Sequence, residues 1–149
     1  IIAVILNNPI ATLICSMNNS NDEANWQIIH ASKYLSLATR KRSGEFVATP
    51  VWFAPLGDTL VVYSTGNAGK VKRLRNFGES RVAPCTMTGK LTGPWLPTSA
   101  FILDDPADKA AALTALRKKY GWLMWTMDFF SALSGKKQRR AYIRIERSQ

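Results

Sequence analysis

The chain is poor in the residues that hold metals or cross-link small secreted domains. Its two cysteines, Cys15 and Cys85, form neither a metal-binding pair nor a disulfide framework. The single histidine, His30, argues against a His-based metal site and reads as an ordinary side chain on a helix flank, so no metal is expected. Cys85 has no histidine near it in sequence to activate it, which favours a buried inert thiol over a nucleophile. This sparse use of thiols fits a reducing cytoplasm. Acidic residues are also scarce: ten Asp and Glu face twenty Lys and Arg, for a net charge of +10. Such an excess calls for an anionic partner, whether nucleic acid, a membrane surface or a phosphorylated small molecule. No long apolar run is present. Ile1–Met17 comes nearest, but Asn7-Asn8-Pro9 interrupts it and no basic residue precedes it, whereas a spanning helix needs about 20 predominantly apolar residues. Residues 1–19 are therefore expected to be an apolar leader or an extra packing segment, with 20–149 as a single domain. No acid–base pair, catalytic triad or metal cluster is evident, and neither GxxxxGK[ST] nor GxGxxG occurs.

What is present is an ordinary globular composition, 46% apolar and 20% charged over 149 residues. A chain of this length suits one domain that buries about two-thirds of its unfolded surface. Its most informative stretch is Tyr63–Arg75, YSTGNAGKVKRLR. The β-branched run Thr59–Ser64 breaks at Gly66-Asn67-Ala68-Gly69 and restarts with helical spacing at Lys70, placing Val71, Leu74 and Phe77 on one face. A strand, a glycine loop and a helix opening on a lysine can hold an anion. Glycine permits close backbone approach, the first helical turn has unpaired N–H donors, and the dipole favours negative charge there. The competing reading is a surface turn followed by a solvated basic helix.

Elsewhere, Ser20-Asn21-Asp22-Glu23 has the form of a capping box and predicts a helix starting there and running past Trp26 and Ile29. Lys33–Thr39 alternates as a strand, with Leu35 and Leu37 on one face. The turn Arg40–Gly44 leads to a strand over Glu45–Ala54, and Pro55–Asp58 turns again into Thr59–Ser64. These three strands are expected to form an antiparallel meander. Arg81–Met87, Ser99–Leu103 and Ala141–Glu146 are further strands. Asp105 caps a helix with Pro106 in its first turn, Ala110, Leu113 and Leu116 on one side and Gly121 as its stop. Trp122–Leu133 reads as a helix apolar nearly all round. It suits a dimer interface, packing over a barrel end, or an interfacial membrane helix flanked by Lys136, Lys137, Arg139 and Arg140. The fold class is mainly β: a barrel of about six antiparallel strands with peripheral helices.

Three blocks carry a likeness as a set: Lys33–Pro55 (KYLSLATRKRSGEFVATPVWFAP), Leu60–Asn76 (LVVYSTGNAGKVKRLRN) and Arg81–Gly93 (RVAPCTMTGKLTG). In order and spacing they resemble the pyridoxamine 5'-phosphate oxidase-like flavin/deazaflavin oxidoreductases, and within them the branch of small F-420-dependent proteins. The stretch from Lys119 to Glu146 is similar to the same branch, while the residues before Lys33 have no counterpart. The resemblance implies a split β-barrel homodimer with FMN or F-420 in a groove at the interface. By position, Thr49, Pro50, Val51 and Trp52 are implied to line the cofactor ring. Ser64, Thr65, Lys70 and Arg73 are implied to take the phosphate or ribityl chain, and Pro84, Cys85 and Thr86 to contact the ring edge or chain. It also implies an oxidoreductase passing hydride between the cofactor and an unknown small-molecule substrate, or a relative that binds a cofactor or tetrapyrrole without turnover. Pro50 within a strand needs an edge or a bulge in any case, because it removes a ladder donor. The rivals from other classes are a basic barrel binding nucleic acid and a peripheral membrane protein using 1–17 or 122–133.

Overall fold

The computed structural model describes residues 9–66, 68–121 and 140–148. Three helices occur in this part of the chain: α1 (Pro9–Ala31), α2 (Gly69–Asn76) and α3 (Pro106–Tyr120). Seven strands accompany them: β1 (Tyr34–Arg40), β2 (Phe46–Val51), β3 (Phe53–Leu56), β4 (Thr59–Thr65), β5 (Glu79–Cys85), β6 (Leu96–Ile102) and β7 (Arg140–Arg147). All pair antiparallel in one sheet of order β2-β1-β5-β6-β7-β4-β3. No helix among the described residues is long and apolar enough to cross a membrane.

The expected strand over Glu45–Ala54 is in fact two. It breaks at Trp52, and its halves β2 and β3 form opposite edges of the sheet. One residue of chain can separate Val51 from Phe53 by only about 7 Å, so the two edges must come together and the sheet must roll up. Among the described residues no ladder joins β2 to β3 or β4, which leaves the roll open along that seam. The result is a split barrel. The expected meander therefore gives way to two hairpins, β1–β2 and β3–β4, separated by the full width of the sheet. The β3–β4 hairpin turns on Gly57-Asp58, with Gly57 at φ 60°, a conformation that suits glycine in two-residue hairpins.

Strand alternation explains the core. Leu35 and Leu37 on β1, Val51 on β2, Phe53 on β3, Leu60 and Val62 on β4, and Ile143 and Ile145 on β7 fill the barrel interior. Trp26 and Ile29 from α1 and Val71 and Leu74 from α2 complete this core. Full burial of one such aliphatic or aromatic side chain stabilises by about 1.5–3 kcal/mol. A second cluster lies on the outer face, where Ala112, Leu116 and Tyr120 of α3 cover Ala54, Val61 and Tyr142. The α3 boundaries match the sequence reading: the Asp105 carboxylate accepts from Ala107 N–H at 2.8 Å, and Gly121 caps the other end at φ 58°. Its buried face is shifted, however. Ala110 is exposed and Leu113 is half-buried, while the i, i+4 series 112–116–120 does the packing.

The capping box does not start a helix. α1 runs unbroken from Pro9, and Ser20 Oγ donates to the Ser16 carbonyl at 2.9 Å, one turn back. Residues before Ser20 already supply the i−4 carbonyls, so no orphan amide is left there to cap. β5 and β6 begin two or three residues earlier than their side-chain pattern suggested. The chain after Cys85 turns tightly, Gly89 N–H bonding to Thr86 O at 2.9 Å. The expected helix 122–133, the basic residues 136–139 and residues 1–8 of the leader lie outside the described residues.

Candidate functional site

The sequence-predicted residues fall into three groups, two of them at the open seam. The first is built by α2, which leaves the end of β4 and crosses towards β1. Its apolar positions Val71 and Leu74 pin it to the core. Ala68 precedes it in an extended conformation and gives no side-chain cap, and the first turn contains no acidic residue. Among the described residues, Lys72 N–H is the first to bond back, to Ala68 O at 3.2 Å. The amides of Gly69, Lys70 and Val71 therefore form the open, electropositive end of the helix.

Two cations crowd this end. Lys70 is half-buried, and burial first, then the neighbouring Arg73 charge, pulls its ammonium pKa below the ordinary lysine value. Arg73 folds back over Gly69: a Cβ built there would lie 2.9 Å from Nη1. Its Nε donates to Thr39 Oγ1 on β1 at 2.7 Å. Neither Lys70 nor Arg73 makes an ion pair among the described residues. Unbalanced like charges beside uncapped amides are costly unless an anion joins them. Ser64 and Thr65 end β4 just before this loop. Ser64 is buried, with only a long 3.4 Å contact from its hydroxyl to Thr65 O. Thr65 O accepts from Ala68 N–H at 3.1 Å, fixing the start of the loop.

The second group lines β2. Thr49, Pro50 and Val51 pair with Leu37, Ser36 and Leu35, and β1 in turn carries Val82, Ala83 and Pro84 of β5 on its other side. Pro50 sits on an edge strand, as its missing N–H requires. Thr49 Oγ1 is buried without a hydrogen-bond partner. Val47 pairs with Thr39, the residue that holds Arg73, so Thr49 lies two residues, about 7 Å, further along the strand from that level. Trp52, at the corner, is half-buried and stacks on Tyr120 at 4.8 Å between centroids.

Pro84, Cys85 and Thr86 lie across β1 from this edge. Pro84 is buried under the 93 segment, where a Cβ on Gly93 would come within 2.6 Å of its Cγ. Cys85 is a buried free thiol, and burial raises its pKa, in keeping with an inert thiol. Thr86 bonds Thr88 hydroxyl to hydroxyl at 3.0 Å in the turn that brings Gly89 against Pro50, with 3.7 Å from a Cβ there to the ring.

Two structural residues escaped the sequence reading. Tyr120 Oη accepts the buried Phe53 N–H at 3.0 Å and donates to Lys33 O at 2.9 Å, tying α3 to the corner at Trp52. Burial pushes its phenol up to about 12, so it remains a donor. Lys119 beside it donates to Ser32 O at 2.7 Å and lies 3.3 Å over the Phe53 ring, its pKa lowered to about 8 by burial. Both contacts span 87 residues of chain and leave no local signal.

The fit to a phosphorylated cofactor rests on these features: a helix start without a side-chain cap, two cations with no ion pair among the described residues and the orphan Thr49 hydroxyl. No family model and no curated relative matches the chain. Solved structures do. HutZ, the heme storage protein of Vibrio cholerae, matches with a TM-score of 0.60 over 87% of this chain and 89% of its own, at 12% identity. A FAD-binding protein from Mesorhizobium loti gives 0.57 over 83% and 84%, at 16% identity. A candidate pyridoxamine 5'-phosphate oxidase from Listeria innocua gives 0.55 over 86% and 94%, at 13% identity. At such identities the likeness is one of fold, and this chain shares the split barrel of those proteins.

Proposed function

We propose that the protein binds a phosphorylated tricyclic cofactor, FMN or the deazaflavin F-420, and works as an oxidoreductase on a small-molecule substrate. The observation that carries this reading is the pair Lys70 and Arg73, held without a counter-charge among the described residues at the start of α2. The resemblance of the three sequence blocks and the shared barrel fold agree with it. When bound, the cofactor supplies two-electron (hydride) chemistry, which needs no acid–base pair from the chain.

The chain's own residues bind and orient. Lys70, Arg73 and the α2 amides neutralise the phosphate, and Ser64 and Thr65 hold the polar chain behind it. Thr49 offers its unpaired hydroxyl and the exposed Pro50 an apolar surface, with half-buried Trp52 beside it at the corner, while Val51 points into the barrel core and supports the strand from behind. Pro84, Cys85 and Thr86 form the adjoining boundary. A second copy covering the seam would exclude water from the ring, as the homodimer reading requires. The nucleic-acid reading is less well supported: the rings of Phe46 and Phe77 are already covered by the guanidinium groups of Arg81 and Arg40, at 4.1 and 4.7 Å, which leaves neither as a free platform for bases.

The test is a fluorescence titration of the protein with FMN and, separately, F-420. Saturable binding of one is expected, and the double substitution Lys70→Ala/Arg73→Ala should weaken it on the order of a hundredfold by removing two charge-assisted bonds. Saturation by neither ring overturns the proposal. Affinity for an oligonucleotide that falls steeply with salt, with no cofactor binding, would favour the rival.

A further inference from the structure

One contact at the site remains without a role in that account. Thr39 has no exposure and faces the apolar barrel interior beside Leu37. A hydroxyl there is costly unless it is bonded, and it is bonded to Arg73 Nε at 2.7 Å. That bond uses the one guanidinium N–H on the side chain's stem and leaves both Nη groups free to turn outward. They lie against Gly69: a Cβ at that position would sit 2.9 Å from Nη1 and 3.7 Å from Nη2. Gly69 is not needed for its backbone, since its φ lies outside the left-handed region. It is needed for room. The guanidinium fork and the open amides of α2 consequently converge on one place.

We infer that Thr39 is a positioning residue, which locks Arg73 so that its two Nη groups and the first-turn amides of α2 face a single tetrahedral oxyanion, that of a phosphate ester. The inference rests on the cofactor reading given above and adds two features: Thr39, which does not itself bond the ligand, and the missing side chain of Gly69, which leaves room for the fork. An arginine held in advance loses less freedom when its ligand arrives, so the lock raises affinity without adding charge.

The experiment compares wild type, Thr39→Val, Thr39→Ser and Gly69→Ala. Each is titrated with FMN or F-420, whichever the wild type saturates with, and with the same ring lacking its phosphate (riboflavin or the dephosphorylated deazaflavin). Thr39→Val keeps the charge and shape but removes the acceptor. It should weaken the phosphorylated ligand about tenfold, leave the phosphate-free ring unchanged and leave the salt dependence unchanged. Thr39→Ser should bind as wild type. Gly69→Ala, whose methyl displaces the fork, should repeat the phosphate-specific loss and decides the matter if Thr39→Val does not fold. Equal losses for both rings, or no loss in either variant while wild type binds, would overturn the inference and leave the cofactor reading standing. A wild type that saturates with neither cofactor would overturn both.

Discussion

Removing the Tyr120 hydroxyl should unfold the corner on which the candidate ring wall depends. In Tyr120→Phe the ring volume and the stack on Trp52 are kept, but two hydrogen bonds vanish: that from Phe53 N–H and that to Lys33 O. Each is worth about 0.5–1.5 kcal/mol net, and the Phe53 amide, on a residue with no exposure, is left buried and unpaired at about 1–3 kcal/mol. The acceptor bond and the orphan penalty describe the same amide and count once, so the sum is about 1.5–4.5 kcal/mol. For a chain of this size, at about 2–4 °C per kcal/mol, the loss corresponds to a fall in Tm of roughly 3–18 °C. Urea unfolding followed by tryptophan fluorescence reads the change, with the m-value serving as the control for altered compactness. Tyr120→Leu should cost a further 0.5–1.5 kcal/mol, roughly, by breaking the aromatic stack as well. A Tyr120→Phe variant within about 0.5 kcal/mol of wild type, the range of ordinary surface substitutions, would refute the reasoning.

Other predictions follow from single features. Lys119 has a folded pKa lowered to about 8 by burial, so between about 8 and the ordinary lysine value the unfolded chain binds more protons and stability rises with pH. Comparing urea midpoints at pH 7.5 and 9.5, wild type should gain on Lys119→Met, and a parallel pair of curves would contradict this. Asp105→Ala removes the N-cap bond to Ala107 and should cost about 1 kcal/mol in the same assay. Gly57→Ala places a side chain at φ 60° in open space and should cost roughly 1–2 kcal/mol from backbone strain alone; no change would show that the hairpin relaxes.

Much of this architecture was legible wherever the signal is local. The Asp105–Pro106 start and Gly121 stop of α3, the β-branched run of β4, and the break and restart at Gly66–Lys70 all express short-range preferences, and the structure keeps them. The strand, loop and helix of the proposed anion cradle could be read because they are contiguous in the chain. Pro50 called for an edge or a bulge, and only the sheet order shows that it is an edge and which one. The division at Trp52 could not be read, since it depends on the barrel closing: a run that alternates well enough for one strand is split by the need to turn a corner. Ser20–Glu23 satisfies the capping pattern, yet the chain before it is helical, and tertiary continuity overrode the motif. Tyr120, Lys119 and the Thr39–Arg73 bond were hidden for a common reason. Each joins positions far apart in sequence, and a threonine within an alternating strand looks the same whether or not an arginine reaches it.

The claim on which this account stands is that a cofactor phosphate lies between Lys70 and Arg73 at the start of α2. A crystal structure of the protein soaked or grown with FMN or F-420 tests it directly. The account predicts phosphate oxygens within about 2.7–3.2 Å of Lys70 Nζ and the Arg73 guanidinium, with the ring alongside Pro50. A bound cofactor whose phosphate lies elsewhere, with Lys70 and Arg73 turned to bulk water, would contradict it.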